Sequence, residues 1–385
     1  MALNREPVPV GGNEGERGRD GTRLRLARLA ERLSQHELAD AAGVTRQAVA
    51  GIEAGHWDPS LRVAMALARA LSTTVEELFG PLADLPGVEA VPLPGREGTP
   101  QRVDLAQVGD QTVALPLLGD HALRAGFTPT GGVVVGPSSA ASSRWEVRPT
   151  GQLRPTLVVA GCDPALPLLA GPLTRLDPPV ALAWWPCGSK DALALAAAGL
   201  VHVAGFHVDE DRDDALASAL GRQFDAEGCE VISFAFWQEG LAFRPESPVG
   251  SLADVARSGW RLVAREPGSE ARELLERERD RLGLASSDLA GLDTAVGGHL
   301  LVASAIAAGL GHAGVTTEGA ALAYGLGFLA LASERFLLAL PRPLLSTQEV
   351  QALLRVLASP ALKAQLGSLP GYGGVGSCGE SVWSR

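Results

Sequence analysis

The sequence predicts a multidomain chain: an all-α module of five short helices, a small β-rich connector, then a larger α/β part. Three observations carry this. The 385 residues exceed one ordinary hydrophobic core. The local texture changes abruptly near residues 22, 80 and 154. Beyond the last boundary, apolar runs alternate with Ala- and Leu-rich helical stretches, the pattern of a buried, largely parallel sheet.

The boundaries follow from composition. Residues 1–21 form a Gly-rich arm of mixed charge with little to bury, read as disordered. Residues 22–80 carry short helical patterns with cap signals. Residues 81–101 hold Pro81, Pro86, Pro92, Pro94 and Pro100 and read as an extended linker. Residues 102–153 contain short β-type runs at 103–108, 112–118 and 132–135, the connector. Residues 154–367 are the α/β part, and 368–385 read as a loose Gly-rich tail.

The formal charge of −11 argues against a basic coat for indiscriminate binding to nucleic acid or membrane, so partners must be sought in local patches. The polar start lacks the apolar core of a leader, and no later run has the length of a membrane span; the expectation is a cytoplasmic protein away from membranes. Cys162, Cys187, Cys229 and Cys378 lie far apart without metal-ligand spacing and read as buried or weakly reactive thiols. No metal and no cofactor are expected.

Residues 33–55, LSQHELADAAGVTRQAVAGIEAG, hold the most specific signal. Ser34 and Glu37 have capping-box spacing, opening a helix over 35–42. Gly43 supplies the turn. Thr45 caps a second helix over 46–54. Val49 and Ile52 pack inward against Leu38 and Val44, which leaves Arg46, Gln47, Ala50 and Gly51 outward. Arg can bond guanine O6/N7 and Gln adenine N6/N7, so this face suits a major groove.

The stretch 23–79 resembles the Xre or phage-repressor family of helix-turn-helix domains. The resemblance implies Gln35 beside a phosphate, Arg46, Gln47 and Gly51 facing bases, and with Thr45 and Ala50 a DNA-facing set. Gly51 departs from the longer polar residue common there. A double-stranded, palindromic operator and a homodimer follow, with half-sites roughly 34 Å apart. The competing reading is a helical protein-interaction bundle, which the balanced charges of this module favour.

In the α/β part, 161–163 (Gly-Cys-Asp), 188–190 (Gly-Ser-Lys), 267–269 (Pro-Gly-Ser) and 297–299 (Gly-Gly-His) place Gly and a small polar residue before helices, where free amides suit anions. Together with 199–208, 237–245, 265–276 and 309–331, these resemble the periplasmic-binding-protein-like ligand domain of cytosolic regulators, related to molybdate-binding proteins. The resemblance implies two lobes around a cleft, with crossovers near 238–244 and 323–328. It also implies Cys162, Ser189, Ser269, His299 and Thr316 as cleft residues, with Lys190 and Arg265 as charge partners for a small-molecule or oxyanion effector. Glu270 adds an acid near one turn, which disfavours a dianion such as molybdate.

Gly309, Gly311 and Gly314 spell G-x-G-x-x-G, but in a helix-to-strand context, the reverse of what a dinucleotide loop needs. His202, His207, His299 and His312 lie on or beside apolar runs and read as core or rim residues. Trp184, Trp185 and Trp237 read chiefly as core, with a ligand floor as the alternative. No Ser-His-Asp order, metal cluster or convincing acid pair supports an enzyme. The expected function is a one-component transcription regulator. The alternatives are an enzyme or molybdenum-cofactor accessory protein using the helical module for targeting, and a ligand sensor acting through protein partners.

Overall fold

The computed structural model describes residues 23–25, 27–29, 31, 33–79, 87–94, 102–118, 130–137, 143–209, 216, 220, 224, 228–293 and 295–384. The arm at 1–21 and most of the segment read as a linker lie outside them. The chain divides into two compact units, Met1–Gly87 and Val88–Arg385.

The first unit is helical. Helical turns at 23–25 and 27–29 precede α1 (Gln35–Ala42), α2 (Arg46–Glu53), α3 (Leu61–Ala70) and α4 (Val75–Phe79). The capping box forms: the Glu37 amide donates to Ser34 Oγ at 3.2 Å, and the Ser34 amide to Glu37 Oε2 at 2.7 Å. Gly43 takes the left-handed conformation at φ 65°, where an L side chain would strain. Leu24, Leu38, Val49, Ile52 and Leu67 form the core. The spacing that put Val49 and Ile52 inward is therefore realised.

Behind this core sits a charged network. Arg28 Nε and Nη2 donate to the two Glu53 oxygens at 2.6 and 3.0 Å, Arg28 Nη1 donates to the Leu33 carbonyl at 2.7 Å, and Gln35 Nε2 donates to Glu53 Oε2 at 2.8 Å. Burial pushes the Glu53 carboxyl up, but the Arg28 and Gln35 hydrogen bonds outweigh it and hold the group below its ordinary range.

The second unit opens with a closed five-stranded barrel, in order β1 (Val88–Pro92), β3 (Gln111–Pro116), β2 (Arg102–Val108), β4 (Gly132–Pro137), β5 (Trp145–Pro149). Two sequence expectations are corrected here. Val88–Pro92 is a strand, not extended linker: it pairs with β3 on one side and β5 on the other. Nor is the connector separate, because Leu93, Ala106, Val108, Val113 and Leu115 share one core with Leu157 and Val158 of the α/β part. Short strands with apolar residues on both faces require cover on both sides.

Among the described residues the main sheet has eight strands. β12 (Ala313–Thr317), β9 (Cys229–Phe243), β13 (Gly327–Pro341), β8 (Val203–Asp209), β6 (Thr156–Ala160) and β7 (Ala181–Trp185) lie in that order, with β14 (Tyr372–Gly373) and β15 (Ser381–Ser384) added to β9. The tail read as loose is thus partly strand, held because β9 has free backbone edge for it.

β9 and β13 are 15-residue antiparallel strands that run through two separate cores. Trp237 and Phe336 belong to the core around Leu157 and Phe206; Leu241, Leu329 and Leu331 belong to the core around Leu274 and Val315. Two lobes result. α5 (Ala170–Thr174), α6 (Ser189–Ala197), α11 (Gln348–Leu357) and α12 (Pro360–Gly367) pack in the first. In the second lie α7 (Leu252–Arg257), α8 (Glu270–Arg281), α9 (His299–Ala307), α10 (Glu318–Ala323) and the short pair β10 (Ala264–Arg265) and β11 (Ala295–Val296). The outward crossing falls near residue 238, as expected. The return crossing lies within β13 at about Ala332–Glu334, later than 323–328, because α10 occupies Glu318–Ala323.

Candidate functional site

In the helical unit, α2 presents Arg46 and Gln47 to solvent, and Ala50 is half-buried beside them. Thr45 is exposed and caps α2, its Oγ1 accepting from the Ala48 amide at 3.1 Å. Gly51 does not face outward. It is buried, and a Cβ built there would lie 2.2 Å from Cζ2 of Trp57, so this indole covers the face where a base contact was expected. Gln35 is half-buried with its amide on Glu53, a support of the helix pair.

In the second unit a cavity of about 100 Å³ opens between the lobes. Cys162, Pro164, Trp184 and Cys187 line it from the first lobe; Arg265, Glu266, Gly298 and His299 line it from the second. Three of the seven expected ligand residues therefore meet there: Cys162, Arg265 and His299. The local sequence explains their convergence, since Arg265 ends β10, Cys162 and His299 come two or three residues after β6 and β11, and Gly298 at φ 87° turns the chain into α9. Trp184 is held by its Nε1, which donates to the Gly161 carbonyl at 2.9 Å.

The other four support this wall or its rim. Ser189 is buried and accepts from the His207 amide at 3.3 Å. Thr316 Oγ1 donates to the His299 carbonyl at 2.9 Å, anchoring the start of α9. Ser269 caps α8, accepting from the Arg272 amide and donating to the Glu266 carbonyl. Lys190 is exposed and reaches across the cleft to Glu273 at 2.8 Å.

Directly behind the cavity wall lies a cluster that sequence reasoning missed. Among the described residues, His207, Glu239 and Glu334 each place one donor atom within 4.8 Å of the others, all buried. His207 Nδ1 is 3.3 Å from Glu334 Oε2, and its Nε2 is 3.9 Å from Glu270 Oε2. Burial disfavours the His207 charge, yet Cys162, Glu334 and Glu270 outweigh burial and raise the imidazole well above its ordinary value. The Trp237 ring packs edge-on against both His207 and His299, with centroids 5.4 and 5.3 Å away.

Among the described residues Glu239 has no hydrogen-bond partner on either oxygen, and full burial pushes its carboxyl up to about 7. His299 does not neutralise it. Arg265 Nη1 lies 3.4 Å from His299 Nδ1 and donates to it, and burial first, then Arg265, hold that imidazole well below its ordinary value and neutral. The 3.8 Å approach of His299 Nδ1 to Glu239 Oε1 is therefore not an ion pair. Arg265 itself is engaged by Glu266 through two bonds of 2.8 Å. On the first lobe, Asp163 is buried, accepts from Tyr372 Oη and the Ala165 amide, and is pushed up to about 6 by burial.

A signal for the missed pair did exist. Glu239 and Glu334 are acids within long apolar strand runs, positions that a buried sheet tolerates only where something compensates the charge. The other two histidines keep their expected core or rim role. His202 Nδ1 accepts from the Val158 amide at 3.0 Å, and His312 Nδ1 accepts from the Arg261 amide at 3.1 Å while stacking on Trp260.

A helix-turn-helix unit with an exposed Arg-Gln face, joined in one chain to a two-lobed α/β domain with a cavity between its lobes, defines a regulator with a periplasmic-binding-protein-like effector domain. Comparison with known proteins agrees. Residues 24–78 match a family model described as helix-turn-helix, and residues 170–358 match one described as a PBP superfamily domain. The chain belongs to the helix-turn-helix regulators through its first unit and carries a periplasmic-binding-protein-like domain behind it.

Among its relatives is an uncharacterized HTH-type transcriptional regulator of Archaeoglobus fulgidus, 40% identical over 58 residues that make up 15% of this chain and 83% of that protein. The uncharacterized protein YvgK of Bacillus subtilis is 26% identical over 230 residues, 59% of this chain and 73% of that protein. Among solved structures, a putative phosphate ABC transporter substrate-binding protein with bound phosphate from Clostridium perfringens aligns with a TM-score of 0.43 at 14% identity, over 55% of this chain and 96% of that one. Among the described residues no helix is long and apolar enough to cross a membrane.

Proposed function

We propose that the protein is a one-component transcription regulator in which a small effector entering the inter-lobe cavity shifts how a homodimer holds a palindromic operator. One observation carries this reading: a single chain combines an exposed Arg46-Gln47 face on a capped recognition helix with a cavity lined from both lobes by Cys162, Arg265 and His299. A ligand touching both lobes binds the closed arrangement better than the open one. That difference is the thermodynamic requirement for control, and a coupling of about 1–3 kcal/mol changes operator affinity roughly 5- to 150-fold. Since the partner is DNA, the site of action is the cytoplasm.

The oxyanion expectation is not carried by the cavity wall. Arg265 and the start of the nine-residue α9 stand at the wall, where an anion would be favoured. Glu266 already neutralises that guanidinium, however, and Glu239, Glu334 and Glu270 lie behind it. A dianion such as molybdate would meet more negative than positive charge. The reading retained is a small effector that is not a dianion.

The test uses the full chain and DNA fragments selected from a random pool. Fluorescence anisotropy should show tight, salt-sensitive binding that falls at least tenfold in the Arg46→Ala/Gln47→Ala double variant, whose fold stays intact because both side chains are solvent-facing. Unchanged affinity in that variant would refute the proposed reading face.

A further inference from the structure

Within the second unit, β8 and the two long crossover strands bring together three buried donor groups that the regulator reading leaves unused. We propose that His207, Glu239 and Glu334 form a binding site for one divalent transition-metal ion at the hinge between the lobes, and that this ion is the effector. The proposal rests on the regulatory reading above for its second clause only.

Four observations support it independently of one another. First, the donor set is one imidazole and two carboxylates, all at most 5% exposed, with ligand atoms mutually within 4.8 Å. Two donors on a tetrahedral metal with bonds of ~2.1 Å lie roughly 3.4 Å apart; His207 Nδ1 and Glu334 Oε2 already stand at 3.3 Å.

Second, Glu239 is fully buried with neither oxygen hydrogen-bonded among the described residues. Buried polar atoms in folded proteins are almost always paired, and a desolvated carboxylate is the costliest kind to leave unpaired. A dication would serve both of its oxygens.

Third, the charge around the cluster has the sign a cation needs. Glu270 adds a third carboxylate 3.9 Å from His207 Nε2, while the nearby Arg265 is taken up by Glu266.

Fourth, the position suits a switch. Glu239 stands opposite Ala332, and Glu334 opposite Trp237, where β9 and β13 pass from one core to the other and their register shifts between Ala330 and Ala332. Drawing Glu239 inward by about 1 Å to complete the coordination would act on both strands where the lobes hinge. Entry is from the cavity, whose Cys162 wall interacts with His207 and whose His299 wall approaches Glu239.

One nitrogen and two oxygens with an open fourth position match Zn²⁺, Mn²⁺, Fe²⁺, Co²⁺ or Ni²⁺ better than Cu⁺, which favours sulfur, or Ca²⁺, which wants six or more oxygens.

The experiment takes the full-length protein, strips it with a chelator, and dialyses it against Zn²⁺, Mn²⁺, Co²⁺ or Ni²⁺, followed by metal analysis and by the visible spectrum of the Co²⁺ form. The expected result is one ion per chain and a raised melting temperature, with Glu239→Gln and Glu334→Gln each weakening affinity at least tenfold. Metal-free Glu239→Gln should be as stable as the parent or more so, because an amide replaces a buried carboxylate; this separates lost binding from lost folding.

Absence of stoichiometric binding, or variants that bind as tightly as the parent, would overturn the site while leaving the regulator reading standing. Operator affinity that changes at least fivefold on metal loading supports the ion as effector. Unchanged operator affinity at saturating metal overturns that clause. Failure of the metal-free and metal-loaded protein alike to bind any selected DNA counts against the regulator reading instead.

Discussion

Lys190 Nζ and Glu273 Oε1 meet at 2.8 Å across the cleft, joining α6 of the first lobe to α8 of the second. Both side chains are about half exposed, at 65% and 47%. Solvent screens such a pair, so its contribution is at most about 1 kcal/mol. A double-mutant cycle with Lys190→Ala and Glu273→Ala, read by denaturant unfolding, should give a coupling of ~0.2–1 kcal/mol that vanishes in high salt. A larger, salt-independent coupling would mean that the latch is desolvated in solution.

Arg28 is different because its partner is buried: the two side chains are 8% and 4% exposed. Arg28→Ala removes the cation facing the Glu53 carboxylate and the donors to its Oε1 and to the Leu33 carbonyl, leaving Gln35 on Oε2. The expected loss is about 3 kcal/mol, concentrated in that unit, whereas replacing Arg28 and Glu53 together by Met should cost much less. Thermal unfolding by circular dichroism, compared among the single and double variants, distinguishes the two costs.

Gly51 and Trp57 form a second testable pair in the same unit. A Cβ at position 51 overlaps the Trp57 ring, with three ring atoms within 2.7 Å. Gly51→Ala should therefore be neutral to destabilising by about 1 kcal/mol despite the better helix propensity of Ala. With Trp57→Ala already present, the same change should stabilise by roughly 1 kcal/mol. Equal effects in both backgrounds would show that the ring does not rest on the helix.

His202 gives the α/β domain an acid sensitivity. Burial lowers its imidazole to about 4, from an ordinary 6.5, and its Nδ1 accepts from the Val158 amide. Below pH 6.5 the unfolded chain takes up a proton that the folded chain refuses until about pH 4, so stability is present above 6.5 and lost as pH falls through this window. Glu349 Oε2, 4.0 Å from Nε2, is the carboxylate facing the ring and softens the loss. The shift corresponds to about 3 kcal/mol. His202→Asn, which preserves an acceptor for Val158, should flatten the dependence between pH 6.5 and 4. A parent protein with constant stability over this range would contradict the buried neutral ring.

The local half of this molecule was legible. Ser34, Glu37 and Thr45 announce α1 and α2 through side-chain-to-backbone bonds that span three residues, Gly43 announces the turn through its left-handed backbone, and all of these form. The helix-to-strand context of Gly309, Gly311 and Gly314 was legible for the same reason, with α9 ending at Ala307 and β12 starting at Ala313. The errors lie where a remote partner decides. Val88–Pro92 is a strand because β3 and β5 flank it, and Tyr372–Gly373 is a strand because β9 has an edge to pair.

For function, the order of residues by itself determined a helix-turn-helix with Arg46 and Gln47 at the start of its second helix, and an α/β domain whose Gly-rich turns precede helices. Those features depend on neighbours a few positions apart. Only the tertiary structure decided that Trp57 covers Gly51, that Ser269 and Thr316 support rather than line the cavity, and that His207, Glu239 and Glu334 share one buried volume. The last three stand 32 and 95 positions apart along the chain. Backbone pairing between β8, β9 and β13 closes those distances, and no short-range rule of spacing carries that information.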